Sequence, residues 1–181
     1  MEFKLTGHRP GGSAFTLPEV LVAVALGILI LLAAMSFYLF SLTSFASMAN
    51  YADLNAQSRA ASDWITRDLR TATSVASLTT NQLVLNEFDG TNVTLNFDAL
   101  AGTLTRVKGN YTRTLLKDVN SLSFSLYQRP TNSSAAYEQF PVATAANAKL
   151  VGFEWTCSRR VSGPRNDSQT VQAAIVELRN Q

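Results

Sequence analysis

One charged side chain, Glu19, stands between Arg9 and Asp53, and it sits at the head of an unbroken apolar run from Val20 to Phe40. That run reads VLVAVALGILILLAAMSFYLF and is 21 residues long. At ~1.5 Å per residue, a helix of this length spans about the 30 Å hydrocarbon core of a bilayer, so length and composition point to a single membrane pass. The residues before it, MEFKLTGHRPGGSA, set Lys4 and Arg9 against Glu2 and end in a Gly/Ser/Ala cluster. A basic head followed by an apolar run marks export with the positive end kept in the cytoplasm. In a secretory signal peptide the small residues and the cut follow the apolar run. Here they precede it, so a cut at that cluster would leave the apolar helix on the mature chain.

An ordinary anchor accounts for the run and for Lys4 and Arg9, but not for Glu19. An unpaired acid near the middle of a spanning helix costs roughly 2.5 to 3.5 kcal/mol on insertion scales, and less near an end where water reaches it. A positive group is therefore expected close by. A cut between Ala14 and Phe15 would give Phe15 a free α-amino group four residues from Glu19, about one helical turn away. That amine, on the same chain or on a neighbour shifted by one turn, would neutralise the carboxylate. Pro18 fits the same cut. In a helix starting at Phe15 it is the fourth residue, whose N–H has no intrahelical acceptor, so its missing donor removes nothing. In the uncut chain it disfavours continuous helix across the junction and leaves the leader accessible.

The string SAFTLPEVLVAVALGILILL resembles the amino-terminal signature of type IV pilins and type II secretion pseudopilins. In that family a basic leader ends in Gly, sometimes Ala, before Phe-Thr-Leu-x-Glu and an apolar helix. The resemblance implies cleavage by prepilin peptidase between Ala14 and Phe15, N-methylation of Phe15, and polymerisation through the helix. It also implies that Glu19 recognises the amine of an adjacent subunit during assembly. The partners so implied are prepilin peptidase, other pilin or pseudopilin subunits and an inner-membrane assembly platform. The implied location is the inner membrane, single-pass, with the C-terminal domain in the periplasm before incorporation into a pilus or pseudopilus. This chain departs from the common pattern in having Ala14 where Gly is usual and Pro18 where Ile is more frequent. Asp68-Leu69-Arg70 and Leu104-Thr105-Arg106 are similar to strings shared by J-type minor pseudopilins and their type IV pilus counterparts.

Beyond Phe40 the sequence is mixed. Met48, Tyr51, Leu54, Ser58, Ala61, Ile65, Leu69 and Ala72 recur at intervals of three and four, which predicts one helix continuing from Phe15 to about Val75 with this stripe buried. Asp53/Gln57 and Asp63/Arg67 are i,i+4 pairs that favour such a helix weakly and otherwise read as solvated surface. Gly27 marks either a close-packing seam or a point of local melting, and the sequence leaves both open. From residue 80 the period becomes two. Strands are predicted over Gln82–Phe88, Asn92–Phe97, Thr103–Val107, Tyr111–Leu116, Ser121–Gln128, Lys149–Cys157 and Thr170–Leu178, with Gly- and Asp-containing turns between the early ones. Arg129–Ala148 and Ser158–Ser168 read as loops. The expected fold is α+β and pilin-like. A leader over 1–14 precedes a membrane or filament-core helix over 15–40 and an amphipathic continuation over 41–76. Residues 77–181 form an antiparallel sheet with one face on the helix.

Reactive chemistry is sparse. The only histidine, His8, lies in the leader, so no Ser–His or Cys–His pair can be assembled in the mature chain. Asp89, Asp98 and Asp118 fall at turns, where Asp serves the backbone, and they lack EF-hand spacing. No phosphate-binding loop is present. The expectation is a structural subunit, not an enzyme, without cofactor or metal. Cys157, the single cysteine, reads as a small core residue. Arg159, Arg160 and Arg165 form a small basic group near Trp155. With a net charge of only +2, nucleic-acid binding ranks well below assembly. Two rival readings stay open: a binding module for DNA, secreted substrate or surfaces at a filament tip, and an anchored domain that never polymerises.

Overall fold

From Glu19 to Thr71 the chain holds no proline, and its one glycine is Gly27, so nothing in that stretch stops a helix once begun. The computed structural model describes residues 15–128, 142–160 and 167–178, and in it helix α1 runs unbroken over Leu17–Thr71. Six strands follow directly or through short turns, β1 (Ala72–Leu78), β2 (Gln82–Glu87), β3 (Asn92–Asp98), β4 (Thr103–Lys108), β5 (Tyr111–Leu116) and β6 (Val119–Tyr127), and after a longer connection that includes a 3-10 turn at Ala145–Asn147 comes β7 (Leu150–Arg160). The last strand is β8 (Asp167–Glu177). The fold is α+β, a long N-terminal helix packed on antiparallel sheets. Its internal contacts divide the chain between Leu42 and Thr43 into two units.

Three differences from the sequence expectation have identifiable causes. The helix stops at Thr71, not near Val75. There Thr71 Oγ1 donates back to the carbonyls of Arg67 and Asp68, at 3.2 and 3.1 Å, and the alternating β-branched residues Thr71, Thr73 and Val75 favour a strand over another helical turn. The resulting β1 pairs with β2 with register shifts between Ala72 and Ser74 and between Val75 and Ser77, so it never shows a clean two-residue alternation. The single expected sheet is two. One is a five-stranded meander in the order β1-β2-β3-β4-β5, and the other is three-stranded, in the order β6-β7-β8. The break falls at Lys117–Asp118, where Asp118 adopts a left-handed φ of 59°. Finally, β7 extends to Arg160 and β8 begins at Asp167, so Ser158, Arg159, Arg160, Asp167 and Ser168 of the expected Ser158–Ser168 loop are paired strand, and residues 161–166 of it lie outside the described residues. Of the expected loop over Arg129–Ala148, residues 129–141 lie outside the described residues.

In the unit from Thr43 onward, the stripe Leu54, Ser58, Ala61, Ile65 and Leu69 is buried, and Ala72 is buried as the first residue of β1. Met48 and Tyr51, expected on the same stripe, are exposed. The stripe meets Leu83 and Leu85 of β2, Val93, Leu95 and Phe97 of β3, Leu104 of β4, and Val151, Phe153 and Trp155 of β7, which together form one core. Burial of these faces is what holds the amphipathic half of α1 in place, at roughly 25 cal/mol for each Å² of apolar surface removed from water. A link between the two sheets sits at Gly102, whose carbonyl accepts from Val119 N at 2.9 Å. Its φ is +60°, and an added Cβ would lie 3.3 Å from Val119 O, so glycine is required there for conformation and for space.

Candidate functional site

The residues singled out at the N-terminus lie at the start of α1. Ala14 lies outside the described residues, as do Lys4, His8 and Arg9. Phe15 and Thr16 precede the helix, which begins at Leu17, two residues later than a helix starting at Phe15 would. In the intact chain the Phe15 nitrogen is therefore not one helical turn from Glu19. The carbonyl of Thr16 accepts from Glu19 N at 3.0 Å and from Val20 N at 3.2 Å, so Thr16 takes the capping position. Pro18 is then the second helical residue, within the first turn, where its missing N–H still removes no helical bond.

Thr16-Leu17-Pro18-Glu19 also has the spacing of a capping box, and Glu19 is the acidic residue of the first turn. The positive end of the helix dipole favours an acid there by about 0.3 to 1 kcal/mol, well short of the roughly 2.5 to 3.5 kcal/mol that hydrocarbon burial of an unpaired acid would cost. Helix geometry by itself therefore suits Glu19 to water or to the membrane boundary, not to an oily interior.

From Phe15 to Leu42 every residue is exposed apart from Gly27 and Ser41, which are half-covered. Phe15 is 78% accessible, and Leu21, Leu29, Ile30, Leu31 and Phe37 are similarly bare. This is the one described helix long and apolar enough to cross a membrane. A Cβ added at Gly27 would meet nothing within 4 Å, and the helix passes through that position unbroken.

The sheet-bearing unit carries three polar clusters that the sequence reading did not assemble. In the first, Arg106 of β4 donates from Nε to Asp68 Oδ2 at 2.6 Å and from Nη2 to Oδ1 at 2.8 Å, a two-pronged charge-assisted pair. The side chains are 13% and 5% accessible, and the Asp68 carboxylate holds the Arg106 guanidinium above its usual pKa. Asp68 lies three residues beyond Ile65 on the buried stripe, and Arg106 lies opposite Leu95 of β3, so both charges occupy core-facing positions. The Asp68-Leu69-Arg70 and Leu104-Thr105-Arg106 strings are thereby joined through their first and last residues. Trp64, half-buried on α1, has the guanidinium carbons of Arg67, Arg106 and Arg113 at 5.7, 5.6 and 4.7 Å from its ring centroid. Arg67 thus lies over an indole and makes no ion pair with Asp63, whereas Gln57 does bond Asp53, at 2.9 Å.

In the second cluster Arg159, expected in a loop, sits on β7 and donates to Asp118 Oδ2 from Nε at 2.9 Å and to Asp53 Oδ2 from Nη1 at 2.8 Å. It ties the helix, the β5–β6 connection and β7 together. Its hydrogen bond, followed by that of Gln57, holds the Asp53 carboxyl below the ordinary range. Arg165 lies outside the described residues. Trp155 is fully buried, stacked on Phe153 at 5.1 Å between centroids, with Nε1 donating to Ser58 Oγ at 3.2 Å. It offers no solvent-facing aromatic to a ligand. Cys157, beside the same Ser58, is buried, and that burial pushes its thiol pKa up.

The third cluster closes the β2–β3 hairpin. Lys108 pairs with Glu87 and lies 3.3 Å from Asp89, and the Glu87 bond raises the lysine pKa first among its causes. Asp89 accepts from Thr91, and Asp98 accepts from the backbone of Leu100 and Ala101 at 2.9 and 3.0 Å, the backbone roles expected of turn aspartates. On the outer face of the three-stranded sheet a shallow trough of about 370 Å³ runs over Gly152 between Tyr127, Ser125, Glu154 and Ile175.

Set beside protein-family models, curated proteins and solved structures, the chain finds no match.

Proposed function

We propose that this chain is a pilin-like minor structural subunit, inserted in the inner membrane, trimmed by prepilin peptidase between Ala14 and Phe15, and assembled through its N-terminal helix into a pilus or pseudopilus. The observation that carries the reading is the contrast within α1. The bare apolar turns follow directly on Phe15, Pro18 and Glu19, and the later turns of the same helix bury their stripe under two sheets. An uncovered apolar surface of this extent on a folded chain has to be met by lipid or by other helices. Moving it from a bilayer into a helical filament core exchanges one apolar surrounding for another, so extraction is not opposed by a hydrophobic penalty. Glu19, unsuited to hydrocarbon without a partner, would meet the new α-amine of Phe15 on an adjacent subunit. The sheet-bearing unit would stand in the periplasm, with no catalytic role.

Mass determination of the protein recovered from membranes tests this. The expected product begins at Phe15 and carries one added methyl group. A chain that still begins at Met1 in cells with active peptidase overturns it. Glu19→Ala is expected to remain inserted while failing to enter filaments. Normal incorporation of that variant would overturn the role given to Glu19, and absence of the parent chain itself from filaments would reduce it to a tethered periplasmic domain.

A further inference from the structure

The β4–β5 ladder sets Arg106 directly opposite Arg113. Like charges in that position repel, and a sheet tolerates the pair only if something answers both. Asp68 answers Arg106 with its two-pronged bond. Arg113 has only the face of Trp64, 4.7 Å away, and Arg67 approaches the same ring from the next turn of α1 at 5.7 Å. Both side chains are exposed, and among the described residues neither has a carboxylate within ion-pair distance. Three guanidinium groups around one indole are thus matched by one carboxylate, in a chain whose total charge is only +2.

Cation–π contact attracts a guanidinium while leaving its N–H groups free at the edge of the plane. Holding Arg67 and Arg113 against the ring restricts two long side chains before any partner arrives, which reduces the ordering entropy that binding would otherwise require. We propose that Trp64, Arg67 and Arg113 form a docking point for a carboxylate side chain presented by a partner protein. A carboxylate there would complete for Arg113 what Asp68 supplies to Arg106.

A nucleic-acid strand fits less well. Phosphate backbones are held by a row of cations, and this cluster is local, with the exposed carboxylate of Asp63 one residue from Trp64. The contact goes beyond filament assembly and stands or falls separately from it, since it requires neither processing at Phe15 nor Glu19.

The chain has two tryptophans, and Trp155 is sealed in the core, so a fluorescence change on ligand addition reports Trp64. Full-length protein in a neutral detergent is titrated with hexaglutamate peptide, with oligothymidylate and with hexalysine at low and at physiological ionic strength. Hexaglutamate is expected to give a saturable change that weakens with salt. Arg113→Gln is expected to weaken it about tenfold, the loss of one charge-assisted contact. Arg67→Gln together with Arg113→Gln is expected to abolish it, and Arg59→Gln, an exposed arginine outside the cluster, to leave it unchanged. Circular dichroism checks that each variant is folded. If Arg113→Gln is not, the exposed Arg67→Gln carries the test alone. No response to hexaglutamate, or an unchanged midpoint in the folded arginine variants, overturns the proposal. Tighter binding of oligothymidylate through the same arginines replaces it with a nucleic-acid site.

Discussion

The two halves of α1 share one backbone and differ in what covers them. From Val20 to Phe40 the helix is apolar on all sides, and among the described residues its apolar side chains stay exposed. From Leu54 to Leu69 it is apolar on one stripe only, and two sheets bury that stripe. A helix that is apolar all round has its partner elsewhere, in lipid or in other helices, whereas an amphipathic one is completed by its own chain. The first half is therefore fitted for intermolecular contact and the second for stability, and mutations should sort accordingly.

Removal of the residues up to Leu42 gives the largest expected effect. The protein should move entirely from the membrane fraction to the soluble fraction and keep a cooperative thermal transition, read by fractionation and circular dichroism. Loss of that transition would mean that the second unit depends on the first. Next in size, Trp155→Ala should lower unfolding free energy by about 3 to 5 kcal/mol in urea titrations, and Leu29→Ala on the uncovered half should leave the same curve unmoved. A shift from Leu29→Ala comparable to that from Trp155→Ala would erase the distinction. Asp68→Ala strands the mostly buried Arg106 and should cost about 3 kcal/mol, with much of the loss recovered when Arg106→Met is added.

The smallest effects are expected from the ion pairs of Asp53 and Lys108, in each of which at least one side chain stays partly accessible, through pH. Asp53 has a folded-state pKa below its unfolded value of about 3.9. Its contribution is thus present above that pH and fades as pH falls through the lower folded value. Lys108 has a raised pKa, so its contribution is complete below about pH 10.4 and fades as pH rises toward the folded value. Both effects should shrink on adding salt. Denaturant midpoints across pH for Asp53→Asn and Lys108→Met check this, and curves parallel to the parent's at both extremes would contradict it.

What the residues announced beforehand depended on how local the signal was. The spacing of Leu54, Ser58, Ala61, Ile65 and Leu69 gave the buried face of the helix, and the alternation of Val93, Leu95 and Phe97 gave the core face of β3, because each pattern needs only neighbours in sequence. Strand β1 escaped notice because its two register shifts destroy the alternation. The division into two sheets was hidden for another reason: alternation tells which side of a strand faces inward, not which strand lies beside it. The sequence pattern does not announce the pairing of Arg106 with Asp68, which lie 38 residues apart, although Asp68 follows Ile65 at the buried spacing of three. At the N-terminus the sequence supplied the apolar segment, and the two-residue delay in helix onset follows from Thr16 serving as the cap.

Sealing Cys157 behind Trp155 and Ser58 has a practical corollary for a chain that would leave the cytoplasm and crowd against its own kind. Oxidants that link proteins through sulfur need a thiolate within reach, and here the sulfur is both protonated and walled off. Were copies to stand side by side in an oxidising compartment, this sulfur would not stitch them together covalently.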